Sequence, residues 1–105
     1  MQTRDFIYVG DIVKANLLAA ECEDAYGKVF NVGTGKETSI IELALKIRKI
    51  TGADVRIIHK PPLKGDIRRS VADISHMKSI IGFTPKTSLE DGLSSFIKHV
   101  SSGLQ

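Results

Sequence analysis

Between Pro61 and Asp73 the chain reads Pro-Pro-Leu-Lys-Gly-Asp-Ile-Arg-Arg-Ser-Val-Ala-Asp, and its chemistry lies in Lys64, Asp66, Arg68 and Arg69. Guanidinium forks suit the paired oxygens of a phosphate, and a carboxylate suits the hydroxyls of a ribose. A loop with both types side by side is a candidate clamp for a nucleoside diphosphate. The same residues would also serve as a solvated polar loop, so the rest of the chain must decide.

Other candidates are weaker. Gly33-Thr-Gly-Lys-Glu-Thr38 sits where phosphate loops occur, between a predicted strand and a predicted helix. Its spacing is not that of a Walker loop, and Lys36 is followed by Glu37 instead of Ser or Thr. It also lacks the third glycine of a dinucleotide fingerprint, so a structural turn is the better reading. His59, His76, His99 and Cys22 show no metal-ligand spacing, and no metal is expected. Local sequence suggests no Ser-His-Asp or Cys-His arrangement, so no catalytic residue is assigned. Arg4 precedes a β-type run and has two readings, an ion pair with Asp5 or Asp11 or a phosphate contact.

The elements that would position these residues follow from local pattern. Phe6–Val9 is a short β-type run, and Asp11 a good N-cap for a helix over 12–24. Lys28–Val32 reads as a strand and Gly33–Gly35 as a turn. Ser39-Ile-Ile-Glu42 is a capping box, opening a helix whose apolar residues Ile40, Leu43, Ile47 and Ile50 keep helical spacing until Gly52. Val55–His59 is predicted as a third strand, stopped by Pro61 and Pro62. Asp73 caps a short helix to Ile81, with Gly82 as its stop. Ser88 caps a last helix carrying Leu89, Leu93, Phe96, Ile97 and Val100, and the tail 101–105 is expected to fray. Strands alternating with helices give an α/β class with α+β character.

Composition sets bounds. A chain of 105 residues is one domain or part of one, and 42% hydrophobic with 26% charged is ordinary for a soluble globular protein. No apolar run approaches the roughly 20 residues of a membrane span, and the N-terminal residues lack a leader's apolar core, so no membrane is expected. The lone cysteine, Cys22, excludes an internal disulfide and accords with a cytoplasmic setting. The net charge of +3 is localised. Lys46, Arg48, Lys49, Arg56, Lys60, Lys64, Arg68 and Arg69 face only Asp54 and Asp66 within residues 46–69. A confined basic patch without stacking aromatics fits a small anion better than nucleic acid.

Five pieces in order complete a pattern: Gln2-Thr-Arg-Asp-Phe-Ile-Tyr-Val-Gly-Asp11, Val29-Phe-Asn-Val-Gly-Thr-Gly35, Gly65-Asp66 with Ala72-Asp-Ile-Ser75, Gly82-Phe-Thr-Pro85, and Leu89-Glu-Asp-Gly-Leu93. Over nearly its whole length the chain resembles the C-terminal third of nucleotide-sugar epimerases and dehydratases. These belong to the extended short-chain dehydrogenase/reductase family, and UDP-glucose 4-epimerases are the nearest match. The family's glycine-rich NAD loop and catalytic Tyr-x-x-x-Lys are absent. Four positions after Tyr8 stands Ile12, and four after Tyr26 stands Phe30.

The resemblance therefore implies a single fragment, 1–105, the substrate-binding C-terminal portion of an extended Rossmann-type enzyme whose Rossmann NAD lobe is missing. By resemblance NAD belongs to that N-terminal lobe. The tyrosinate-driven hydride step, sugar to NAD and back to a keto intermediate, cannot run here. The resemblance assigns Arg4 to the pyrophosphate of a UDP-sugar and Asp66 to the uridine ribose. Leu63 stands where relatives usually carry a second pyrophosphate arginine, so Lys64, then Arg68, with Arg69 also near, would supply the charge. Ser70 holds the place where a bulky residue limits the sugar, and its small size implies room for N-acetylated hexoses. The helix after Asp11 and the strand at Val29–Val32 would lie bare without the missing lobe, which predicts self-association or marginal stability. Alternatives are the same portion of a dehydratase or decarboxylase, a stand-alone basic RNA- or anion-binding module, and a scaffold subunit.

Overall fold

The computed structural model describes residues 2–61 and 63–103. The expected strand stop at Pro62 and fraying of Leu104 and Gln105 lie outside the described residues. Among the described residues, helices α1 (Val9–Glu21), α2 (Ile40–Thr51) and α3 (Leu89–Gly103) carry the architecture. A 3-10 turn at Glu23–Ala25 and a π-helical turn at Met77–Ile81 complete the helical elements. The sheet has two short strands, β1 (Thr3–Arg4) and β2 (Thr38–Ser39), antiparallel with Thr3 opposite Ser39 and Arg4 opposite Thr38.

The caps explain the helix ends. Ser39 Oγ accepts the Glu42 N–H at 3.0 Å, satisfying one of the orphan donors that open α2. Gly52 closes α2 at φ 67°, a left-handed conformation that costs glycine nothing, and its N–H reaches the Arg48 carbonyl. Ser88 does for α3 what Ser39 does for α2, accepting the Asp91 N–H at 3.1 Å. α3 runs on through Ser101–Gly103, where fraying was expected.

α1 departs from expectation. It starts two residues before Asp11, from Tyr8, which offers no side-chain cap. Asp11 is instead buried in the first turn, 1% exposed, and accepts the Thr87 N–H at 3.2 Å and its hydroxyl at 3.3 Å. A carboxylate suits the positive end of a helix, and here it also ties α1 to the segment leading into α3. One face of α1 turns Ala15 into a core of Ile74, Met77 and Phe83, flanked by Val32, Ala72 and Ile81. The stripe Val9, Val13 and Leu17 remains exposed.

The strand expectations need correction, because none of the three predicted strands forms among the described residues. Phe6–Tyr8 is extended but lays its side chains on an apolar cleft beside Leu43, Ile47, Leu93 and Phe96, while Val9 joins α1. Residues 28–32 and 55–59 have no ladder, and Val29 is 93% exposed. Apolar alternation marks a segment able to enter a sheet, but a strand exists only with a partner. The described residues are thus mostly helical, with α+β character from β1 and β2.

The chain is also open. Its accessible surface is 8067 Å², against about 5,800 Å² for a compact protein of this mass. Its radius of gyration is 16.3 Å, against about 13 Å for a compact chain of this length.

Candidate functional site

β1 is the hub. On one side it pairs with β2. On the other, Thr3 N–H donates to the Arg68 carbonyl at 2.9 Å and the Ser70 N–H donates to the Thr3 carbonyl at 3.3 Å, a parallel bridge of Thr3 with Arg69. This ladder brings Arg4 to residues 66–70 across more than sixty positions of chain. Arg4 Nη2 lies 3.3 Å from Asp66 Oδ1, and Nη1 donates to the Thr3 carbonyl at 2.6 Å. Gln2 Nε2 donates to the other oxygen of Asp66 at 2.5 Å. Arg4 therefore pairs with neither Asp5 nor Asp11, the partners its local sequence offered.

A cleft of about 520 Å³ opens beside this pair, lined by Arg4, Asp5, Asn31, Val32 and the wall Ser70–Asp73. Arg4 and Ser70 share it. Arg69 does not line it, and its Nε donates to Glu37 Oε1 at 2.8 Å. Glu37 also accepts the Thr3 hydroxyl at 2.5 Å, and although slight desolvation opposes them, these two partners hold its carboxyl below the usual range. Lys64 and Arg68 are exposed and outside the lining, with no ion pair among the described residues. The basic stretch is thinned further by Lys46, which pairs with Glu90 and Glu42.

Asp5 is the residue that local reasoning missed. Its carboxylate accepts Thr34 N–H at 2.9 Å, Gly35 N–H at 2.9 Å, the Thr34 hydroxyl at 2.5 Å and Ala72 N–H at 3.2 Å. Burial alone would raise its pKa, but the Thr34 hydroxyl and the three amides outweigh it and leave the carboxyl below the ordinary range. The glycine-rich turn thus has its anion already, supplied by the protein. The one signal in the sequence was a turn rich in free N–H donors with no phosphate-loop spacing to explain it.

The family model described as GDP-mannose 4,6 dehydratase matches residues 1–96. The chain belongs to that family. Within this epimerase and dehydratase family, a solved UDP-glucose 4-epimerase from Thermotoga maritima, with UDP-glucose, is 41% identical. It superposes with a TM-score of 0.90 over 99% of this chain and 33% of that one. A second, from Bifidobacterium longum in complex with NAD+ and UDP, is 27% identical, with a TM-score of 0.87 over 99% of this chain and 31% of that one. A UDP-N-acetyl-alpha-D-glucosaminuronate decarboxylase of Bacillus cytotoxicus is 34% identical over 103 residues, covering 92% of this chain and 32% of the relative. The chain spans about a third of the length of the family members it matches.

NAD use is a property of the family, whose Bifidobacterium longum member is solved with NAD+. The glycine-rich turn at Gly33–Gly35 is closed to a phosphate by Asp5, whose negative charge occupies its donors. Among the described residues, no three His, Cys, Asp or Glu side chains gather as a metal site. No helix among them is long and apolar enough to cross a membrane. Cys22 is half-buried and donates to the Ile80 carbonyl at 3.4 Å, a packing role.

Proposed function

We propose that the chain is the C-terminal, nucleotide-sugar-binding portion of an NAD-dependent UDP-sugar 4-epimerase, with NAD and the proton-transferring residues held elsewhere in the enzyme. The observation that carries this reading is that Arg4 and Ser70, from segments far apart in sequence, line one cleft, with Asp66, itself outside the lining, paired to Arg4 at 3.3 Å. Arg4 takes the pyrophosphate, where its fork can bind two oxygens at once. Asp66 accepts from the uridine ribose. Lys64, followed by Arg68, swings in to the second phosphate, whereas Arg69 is engaged by Glu37. Ser70 lines the cleft with a small side chain and so leaves room for an N-acetyl group.

The bound arrangement must open the Arg4–Asp66 pair. Both side chains are about a third exposed, and ion pairs in such settings contribute only about 0–1 kcal/mol. Each partner gains more from its own part of the ligand than it loses from the other. The chemistry itself is not run by these residues. They bind and orient the nucleotide so that the sugar meets the catalytic lobe.

Titration of the protein with UDP, followed by amide and side-chain shifts with UMP and NAD as controls, tests the reading. Saturable shifts at Arg4, Lys64, Asp66 and Arg68, larger for UDP than for UMP, are expected. A well-folded spectrum that ignores UDP at millimolar concentration would sink it. A decarboxylase or dehydratase is the second reading, favoured by the Bacillus cytotoxicus relative and by the description of the family. Product analysis of the enzyme with UDP-glucose and UDP-glucuronic acid separates these reactions.

A further inference from the structure

We propose that Asp5 is the positioning residue of the cleft, its carboxylate fixing the span between Arg4 and Ser70 by joining β1 to two walls. The inference rests on the reading of the cleft as a UDP-sugar site, and it adds a residue whose carboxylate is spent on the protein's own donors. Oδ1 holds Thr34 through its N–H and its hydroxyl, and Oδ2 holds Gly35 N–H at 2.9 Å and Ala72 N–H at 3.2 Å. Three segments separated by 29 to 67 positions thus meet on one side chain. Arg4 is the preceding residue, and Ser70 lies two residues before the clamped Ala72. Pinning Asp5 therefore pins the backbone of both residues that face the ligand.

The packing leaves no slack. A Cβ placed on Gly33 would stand 2.7 Å from Asp5 Oδ2 and 2.7 Å from the Ala72 Cβ, so the turn and the wall fit only with glycine there. An asparagine at position 5 keeps the shape but offers one acceptor oxygen, and its NH2 would confront an N–H donor. The charged groups around the carboxylate are Arg4 beside it, Asp73 on the cleft wall and Lys36 after the turn. Asp73 accepts the Ser75 N–H at 3.0 Å, so the Ser75 amide reports on it separately.

The test measures UDP and uridine affinity on the 105-residue chain and its variants Asp5→Asn, Gly33→Ala and Asp11→Ala. Asp11 lies outside the cleft and serves as a control for lost stability. Asp5→Asn and Gly33→Ala are expected to weaken UDP binding about tenfold, roughly what one charge-assisted contact supplies, and to lower the ratio of UDP to uridine affinity. Asp11→Ala should leave that ratio unchanged. Wild-type affinity and ratio in Asp5→Asn, or an equal drop in Asp11→Ala, would overturn the inference.

A second readout does not need a ligand. The Thr34, Gly35 and Ala72 amide protons should titrate together with one acidic midpoint and lose this titration in Asp5→Asn, while the Ser75 amide keeps its own. Separate midpoints would overturn the clamp. If the wild type ignores UDP while these amides titrate as one, the functional reading falls and the clamp stands.

Discussion

At the residue scale, Arg4 and Asp66 satisfy each other at 3.3 Å, and on the proposed reading a UDP-sugar replaces both halves of that pair. Arg4→Ala should therefore cost UDP about 10- to 100-fold in affinity, the worth of a hydrogen bond to a charged group. Uridine should lose far less, which isothermal titration with both ligands would show. Ser70→Tyr should fill the cleft beside Arg4 and lower activity on UDP-N-acetylhexosamines relative to UDP-hexoses by about tenfold in the intact enzyme, a steric discrimination of the usual size. An unchanged ratio would remove Ser70 from the specificity argument. Asp5 gives a pH signature. Its carboxyl titrates below the ordinary 3.8 in the folded chain, so its stabilisation is complete above the unfolded value and is lost as pH falls through the lower, folded one. Thermal melts of wild type and Asp5→Asn should differ most above the unfolded value and draw together as pH falls through the lower, folded one. Residue types and a family pattern singled out Arg4 and Asp66, which the structure pairs with each other. Asp5 was not legible, because its partners are backbone donors far along the chain, and no side-chain pattern announces a backbone N–H.

Elements set by their own caps were the easiest to read. α2 begins and ends as its capping box and Gly52 require, because both signals act within one turn. Ser39→Ala should cost about 1 kcal/mol by denaturant unfolding, as lost N-caps generally do. The segments that failed as strands were misread for a physical reason, since β-type alternation is a property of one segment and a ladder belongs to two. α1 shows the converse. Asp11 has the chemistry of a cap but spends it on Thr87, and Asp11→Ala would leave that half-buried N–H unpaired. A loss of about 1–3 kcal/mol is expected, measured as a shift in denaturation midpoint. The Met77–Ile81 turn, read as ordinary helix, is wound in the wider π form and ends where Gly82 takes φ 73° with its N–H on the Met77 carbonyl.

The whole molecule exposes roughly 2,300 Å² more than a compact chain of its mass, which is the scale of a large protein interface. The stripe Val9, Val13 and Leu17 and the bare Val29 belong to that excess. An open apolar surface of this kind favours association or leaves the fold marginal. Sedimentation of the chain should show species above the monomer or unfolding of low cooperativity, and Leu17→Lys should shift it toward monomer. A sharp monomer with cooperative melting would count against this. Residues 53–61 and 63–68 form a long stretch outside any helix or ladder, mostly exposed and rich in basic side chains. It also carries Lys64, Asp66 and Arg68. Trypsin should enter here first, after Arg56, Lys64 or Arg68, before it touches α1 or α3. Since the ligand would be gripped by the same side chains, the rate of that first nick becomes a label-free gauge of occupancy, slowing as UDP is added and unaffected by NAD.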